Sequence, residues 1–304
     1  MIVEAEGLGK SFGSKRAVDD VSFQLRPGRV TGFLGPNGSG KSTTMRLMLS
    51  LDCGEGQTLF DRRPLSKHPV PGRVVGAHLD AKSFHPNRSA RAHLRMLAAG
   101  TGTADKRVDE VIEQVGLQSV ATKRPKSFSL GMSQRLGLAS AILAEPEVLL
   151  LDEPANGLDP QSIAWMRNFL RAYAEQDRVV FVSSHLISEM QLMATEVVVI
   201  GRGKLIAHEP ISTFVARSTN NRVLIRVADP DLLIEKLQAQ GLNGVREDSD
   251  GVVVSGAEIE KVGEVAFRAG LAVRELSHRR ASLEEAFFEL TSDQQEYAAK
   301  GVAP

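Results

Sequence analysis

A chain of 304 residues has room for one large domain or two, and its 37 basic and 37 acidic side chains cancel at pH 7, so no bulk nucleic-acid or anionic-lipid footprint is visible. A 42% hydrophobic and 24% charged composition excludes disorder over most of the length, and one cysteine, Cys53, excludes an internal disulfide and suits a reducing compartment. The N-terminus shows no secretory pattern, and no apolar run approaches the roughly 20 residues needed to span a bilayer.

In chain order, IVEAEGLGKSFG and AVDDVSFQL predict short strands ending at the turn Arg26-Pro27-Gly28-Arg29. Val30 to Leu34 is a β-type run. A glycine-rich segment follows, and then Met45, Met48 and Leu49 recur at helical spacing. From about Phe84 to Ala144 the pattern is mostly helical. Val148 to Leu151, apolar throughout, predicts a strand covered on both faces of a parallel sheet. Helix 162–175, strand RVVFVSS, a short helix from Leu186 and strand EVVVI continue the alternation, which makes the class α/β. A polar, turn-rich stretch from Ser212 to Asn221 marks a boundary. Beyond it lie three strand-like and three helix-like runs, a small α+β unit, with a frayed tail from Ser292. The expected division is 1–215, with a helical subdomain at about 84–144, then 221–292 and a tail at 293–304.

Gly35-Pro36-Asn37-Gly38-Ser39-Gly40-Lys41-Ser42 fits G-x-x-x-x-G-K-[ST] between a predicted strand and helix. The glycines let backbone N–H groups turn inward, and the helix N-terminus adds its positive dipole end, so phosphate oxygens find donors. Lys41 then reaches the β- and γ-phosphates, Ser42 offers a hydroxyl to Mg²⁺, and Thr43 adds a phosphate contact. The strand before Asp152 and Glu153 would expose both carboxylates at the sheet's C-terminal edge. There Asp152 is placed for Mg²⁺, and Glu153 can orient or deprotonate an attacking water. Read alone, the two carboxylates could equally cap a helix or face solvent after a buried strand.

Phe128-Ser129-Leu130-Gly131-Met132-Ser133-Gln134-Arg135, followed by LLLDEPANGLDP and then VSSHL, resembles the ATP-binding cassette (ABC) ATPases over Ile2 to roughly Phe214. The likeness is greatest to bacterial exporter subunits of the drug- and antibiotic-resistance type, which pair with separate membrane permeases, and SLEEAFFELT resembles their C-terminal extension. The resemblance implies a P-loop ABC core, with a parallel sheet, an antiparallel β subdomain and a helical subdomain, followed by a small C-terminal α+β domain. It implies a signature at Phe128 to Met132, in which Ser129 and Gly131 face ATP bound to a second copy. A D-loop at Gly157-Leu158-Asp159 then sends Asp159 across the interface, His185 senses the γ-phosphate, and Phe12 stacks on adenine. Asp80 stands where the family has a metal-linked glutamine, Leu130 replaces a small residue, and Phe12 replaces the commoner tyrosine.

The expected protein is therefore an ATP-hydrolysing transporter subunit using ATP and Mg²⁺. Its expected partners are a second copy and a membrane permease, on whose cytoplasmic side it sits, with no nucleic acid and no other metal. Two alternatives remain at this stage: a soluble ABC ATPase acting on DNA or ribosomes, and a module that senses nucleotide without turnover. His78, His85 and His93 lack metal-ligand spacing. Arg88, Arg91 and Arg95 share a helix face that serves either a partner or solvent.

Overall fold

The computed structural model describes residues 1–80, 84–85, 87–218, 222–279 and 281–291, so the expected tail at 293–304 lies outside the described residues. These form two units that part between Pro210 and Ile211.

In the first unit, β1 (Val3–Phe12) reverses through Gly13, at φ 57°, into β2 (Lys15–Leu25). β3 (Arg29–Leu34) then leads through the glycine-rich segment into helix α1 (Lys41–Met48). β4 (Glu55–Phe60) and β5 (Arg63–Pro64) complete an antiparallel sheet of order β2-β1-β4-β5. A short helix α2 (Pro71–Val74) feeds β6 (Val75–His78), followed by α3 (Ala90–Thr101), α4 (Asp105–Gln114) and α5 (Leu130–Ile142). The unit closes with β7 (Val148–Leu151), α6 (Pro160–Ala174), β8 (Val179–Ser183), α7 (Ile187–Met193), β9 (Glu196–Gly201) and β10 (Lys204–Pro210). A second sheet has the order β10-β9-β3-β8-β7-β6, parallel except at its β10 edge.

Every residue of β7 and β8 is buried, as expected of strands covered on both faces. Phe33 stacks on Phe181 at 4.8 Å between ring centroids, with Phe23 of the antiparallel sheet 5.4 Å from Phe181. Met45 and Met48 of α1 are fully buried in the same cluster. Parallel register places the C-terminal ends of β3, β7 and β8 along one edge: Leu151 pairs with Val182, and Phe33 with Ser183. The segments after these strands therefore converge.

Helix α5 is buried on nearly every side, polar Gln134 included. It approaches β6 at contact distance because glycines lie at the crossing. A Cβ on Gly76 would fall 1.9 Å from the Ala141 carbonyl oxygen, and one on Gly137 would fall 2.0 Å from the His78 ring. Ser89 caps α3, and Gly102 at φ 64° ends it. The basic face of α3 is turned toward α4, where Arg91 pairs with Asp109 and Arg95 with Asp105.

The second unit contains α8 (Ile211–Ala216), β11 (Arg222–Val227), α9 (Pro230–Ala239), β12 (Asn243–Arg246), β13 (Gly251–Ser255), α10 (Ile259–Arg268), β14 (Val273–Arg279) and α11 (Leu283–Thr291). Its β11-α9-β12-β13-α10-β14 run and sheet order β12-β13-β11-β14 make a ferredoxin-like split βαβ arrangement. Val223, Ile225 and Val227 alternate along β11 to meet Leu233, Leu237 and Val262. Among the described residues no helix is long and apolar enough to cross a membrane.

Candidate active site

The glycine-rich segment between β3 and α1 borders a cavity of about 380 Å³ lined by Phe12, Lys15, Ala17, Asn37, Gly38, Gly40, Lys41, Ser42, Thr43, Asp152 and Glu153. Gly40 sits at φ 107°, where a Cβ would lie 2.5 Å from the Ala17 carbonyl oxygen, so only glycine fits. It is also the N-cap of α1 and brings no side chain to cap the helix. The first N–H groups of α1 have no intrahelical acceptor and open onto the cavity wall, which suits an anion.

Lys41 is buried and donates to the carbonyl oxygens of Gly35, at 2.7 Å, and Pro36, at 3.3 Å. Burial lowers its pKa, and the nearby Glu153 and Asp152 carboxylates oppose that shift. Gly35, Pro36 and Ser39 shape the loop without lining the cavity. Ser39 directs its hydroxyl at Gly35, where a Cβ would meet it at 2.4 Å. Phe12 is 53% exposed, with the Lys10 ammonium 5.2 Å from its ring centroid.

Asp152 and Glu153 follow β7 directly and face the same cavity. The Asp152 N–H donates to the His78 carbonyl at 2.8 Å, and Asp152 Oδ1 accepts from the Ser183 hydroxyl at 2.5 Å. Ser183 Oγ in turn accepts from the Glu153 N–H at 2.9 Å. Glu153 Oε2 accepts from the His185 N–H at 3.1 Å and lies 2.6 Å from His185 Nδ1. One carboxylate is thus held by a histidine at the mouth of the cavity that contains Lys41. Ser42 and Asp152 contribute a hydroxyl and a carboxylate to one wall, the sparse donor set that suits Mg²⁺ arriving with a phosphate. Among the described residues no group of three or more His, Cys, Asp or Glu could hold a metal ion by itself. Asp80 is exposed two residues past β6 and does not line the cavity.

Ser129, Gly131 and Asp159 also lie off the cavity wall, grouped around the first turn of α5. Ser129 is the exposed N-cap, and its Oγ accepts from the Met132 N–H at 3.2 Å. A Cβ on Gly131 would meet the Gly157 carbonyl oxygen at 3.1 Å. Leu130 bends over Gly157, where φ is +73°. The Asp159 carboxylate caps α6 by accepting from the Ser162 N–H at 2.8 Å, and this bond holds its pKa below the ordinary value.

Two contributors escape the motif reading. Ser183, which ties Asp152 to Glu153, carried a signal only in its place before His185. Gln134 and His78 form a buried pair at 2.5 Å behind Glu153, and no spacing in the sequence pointed to it. His93 is buried edge-on against Phe84.

A phosphate loop, a paired carboxylate edge and a helical insert on a largely parallel sheet define a nucleotide-binding P-loop cassette. The model of the family described as ABC transporter matches residues 18–156, and that of a domain of unknown function, DUF8746, matches 221–284. The chain is 33% identical to an uncharacterized ABC transporter ATP-binding protein, YhcH, of Bacillus subtilis (strain 168), over 97% of each chain. It is also 33% identical to the bacitracin transport ATP-binding protein BcrA of Bacillus licheniformis, over 95% of this chain and 97% of that one. Among solved structures, the dimeric bacterial ABC transporter cassette MJ0796 superposes with a TM-score of 0.63 at 21% identity, covering 68% of this chain and 98% of that one. The chain belongs to the ABC transporter ATP-binding proteins. It is accordingly an ATP-binding ATPase subunit.

Proposed function

We propose that two copies bind two ATP molecules across their shared seam and that hydrolysis at Glu153 drives export of a small molecule, such as a drug, antibiotic or lipid-like compound, through a separate membrane permease. The protein then works at the cytoplasmic face of that membrane. The names of two relatives, a bacitracin transport and a daunorubicin resistance ATP-binding protein, support the cargo class. The observation that carries the chemistry is the Glu153 carboxylate, held by His185 beside the cavity that contains Lys41.

Gly38, Gly40 and the first turn of α1 hold the phosphates with backbone N–H groups. Phe12 offers a ring to the base, and Lys41 neutralises the β- and γ-phosphates. Ser42 and Asp152 would hold Mg²⁺, which supplies charge neutralisation when bound. Glu153 accepts the proton of the attacking water as its oxygen bonds to the γ-phosphorus, and the bond to the β-phosphate oxygen breaks to release ADP and phosphate. Nδ1 of His185 orients the carboxylate, which leaves Nε2 to report the γ-phosphate. Ser129, Gly131 and Asp159 of the partner copy close the far side of the sandwich.

Glu153→Gln keeps the shape of the side chain and loses the base. It is expected to bind ATP, release no phosphate above background, and elute as an ATP-dependent dimer in size-exclusion chromatography. Wild-type phosphate release by this variant, or no dimer in ATP, refutes the proposal.

A further inference from the structure

Glu153 has a positive φ, 50°, a conformation an unbranched carboxylate residue does not favour and keeps only when its surroundings impose it. Three bonds hold its backbone, one of them within the turn that follows, where the Asn156 N–H donates to the Glu153 carbonyl at 3.2 Å. The other two come from side chains distant in the sequence: its N–H donates to Ser183, and its carbonyl also accepts from Gln134 Nε2 at 3.3 Å. Gln134 is only 4% exposed, so its amide has few partners, and its other end, Oε1, lies 2.5 Å from Nε2 of His78, which is also 4% exposed. The imidazole fits there because Gly137 leaves room above its ring. The same histidine takes the Asp152 N–H on its carbonyl, so both residues of the carboxylate pair lean on position 78.

An amide side chain can turn end for end, exchanging donor for acceptor at nearly constant shape. If Gln134 turned, its oxygen would face the Glu153 carbonyl and the bond would become a repulsion. A donor at His78 Nε2 forbids that orientation. We propose that His78 is a positioning residue for hydrolysis: through the Gln134 amide it fixes the Glu153 peptide in its left-handed conformation and so aims the carboxylate at water. This rests on Glu153 being the base.

The test is steady-state ATP turnover by the full-length chain, with thermal melting and nucleotide binding measured in parallel. His78→Leu fills the slot without a donor. It is expected to lower kcat about tenfold or more while KM for ATP stays within about twofold, because ground-state binding is untouched and aim is lost. His78→Gln restores a donor and is expected to recover most of the rate. Should His78→Leu fail to fold, Gln134→Met, similar in shape and unable to bond either partner, is expected to give the same kcat-specific loss. A wild-type kcat in His78→Leu or Gln134→Met overturns the proposal. So does a His78→Gln variant as slow as His78→Leu. Failure of the base assignment shows separately, as full turnover by Glu153→Gln alone.

Discussion

Ser183→Ala removes one hydroxyl from a fully buried position, and the structure sets the size of the effect. That hydroxyl donates to the Asp152 carboxylate at 2.5 Å and accepts from the Glu153 N–H at 2.9 Å, and Ser183 has 0% exposure. A bond to a charged group contributes about 1.5–3 kcal/mol and a neutral one about 1 kcal/mol. Asp152 is half-buried, so water can take the place of the lost donor on its side. The net loss is then about 2 kcal/mol, which at about 2–4 °C per kcal/mol lowers Tm by about 4–8 °C. The left-handed Glu153 also loses one of its three backbone hydrogen bonds, and misaiming this proposed base is expected to reduce kcat about tenfold. Calorimetry and a phosphate-release assay read the two effects, with nucleotide affinity as the control. If Tm stays within about 1 °C and kcat within about twofold, the hydroxyl does not couple the two carboxylate residues and the reasoning fails.

Gly40→Ala puts a methyl 2.5 Å from the Ala17 carbonyl oxygen at φ 107° and is expected to weaken binding of a fluorescent ATP analogue at least about tenfold; an unchanged Kd refutes the cradle geometry. Phe181→Ala empties the stack with Phe33 and Phe23 and is expected to destabilise the protein by about 3–5 kcal/mol in urea unfolding, whereas a loss under about 1 kcal/mol contradicts this packing. In the second unit the Arg226 guanidinium holds the Asp248 carboxyl at about 2, below its ordinary 3.8. A depressed folded-state pKa gives stabilisation that is complete above the ordinary value and vanishes as pH falls through the folded one. The Tm gap between wild type and Arg226→Met therefore narrows from about pH 4 to about pH 2, and a gap independent of pH excludes the pairing.

Much of the molecule was legible where structure follows from neighbours along the chain. Val148 to Leu151 and the RVVFVSS run announced buried strands, and the methionines of α1 announced their packed face. β4, β5, β6, β10 and β12 were not read; β5 and β6 span only two and four residues, too few to show a period. β4 and β12 carry exposed polar residues over much of their length, and β10 lies at a sheet edge, so these three show no long apolar run. The arginines of α3 looked like a face for a partner or for water because the sequence does not show α4 opposite them; Arg91 and Arg95 in fact meet Asp109 and Asp105.

The phosphate loop and the carboxylate pair are each contiguous, so local backbone geometry is enough to specify what they can do. A glycine must stand where φ is positive, a helix must begin at Lys41, and a strand must end at Asp152. What surrounds Glu153 is of another kind. Ser183 and Asp152 are 31 positions apart, and His78 and Gln134 are 56 apart. Their contacts exist because parallel register aligns strand ends, and because two glycines allow a helix to rest on β6. Such pairings carry no periodicity or spacing of their own, so only the folded chain reveals which polar side chains are buried together and which atoms they hold in place.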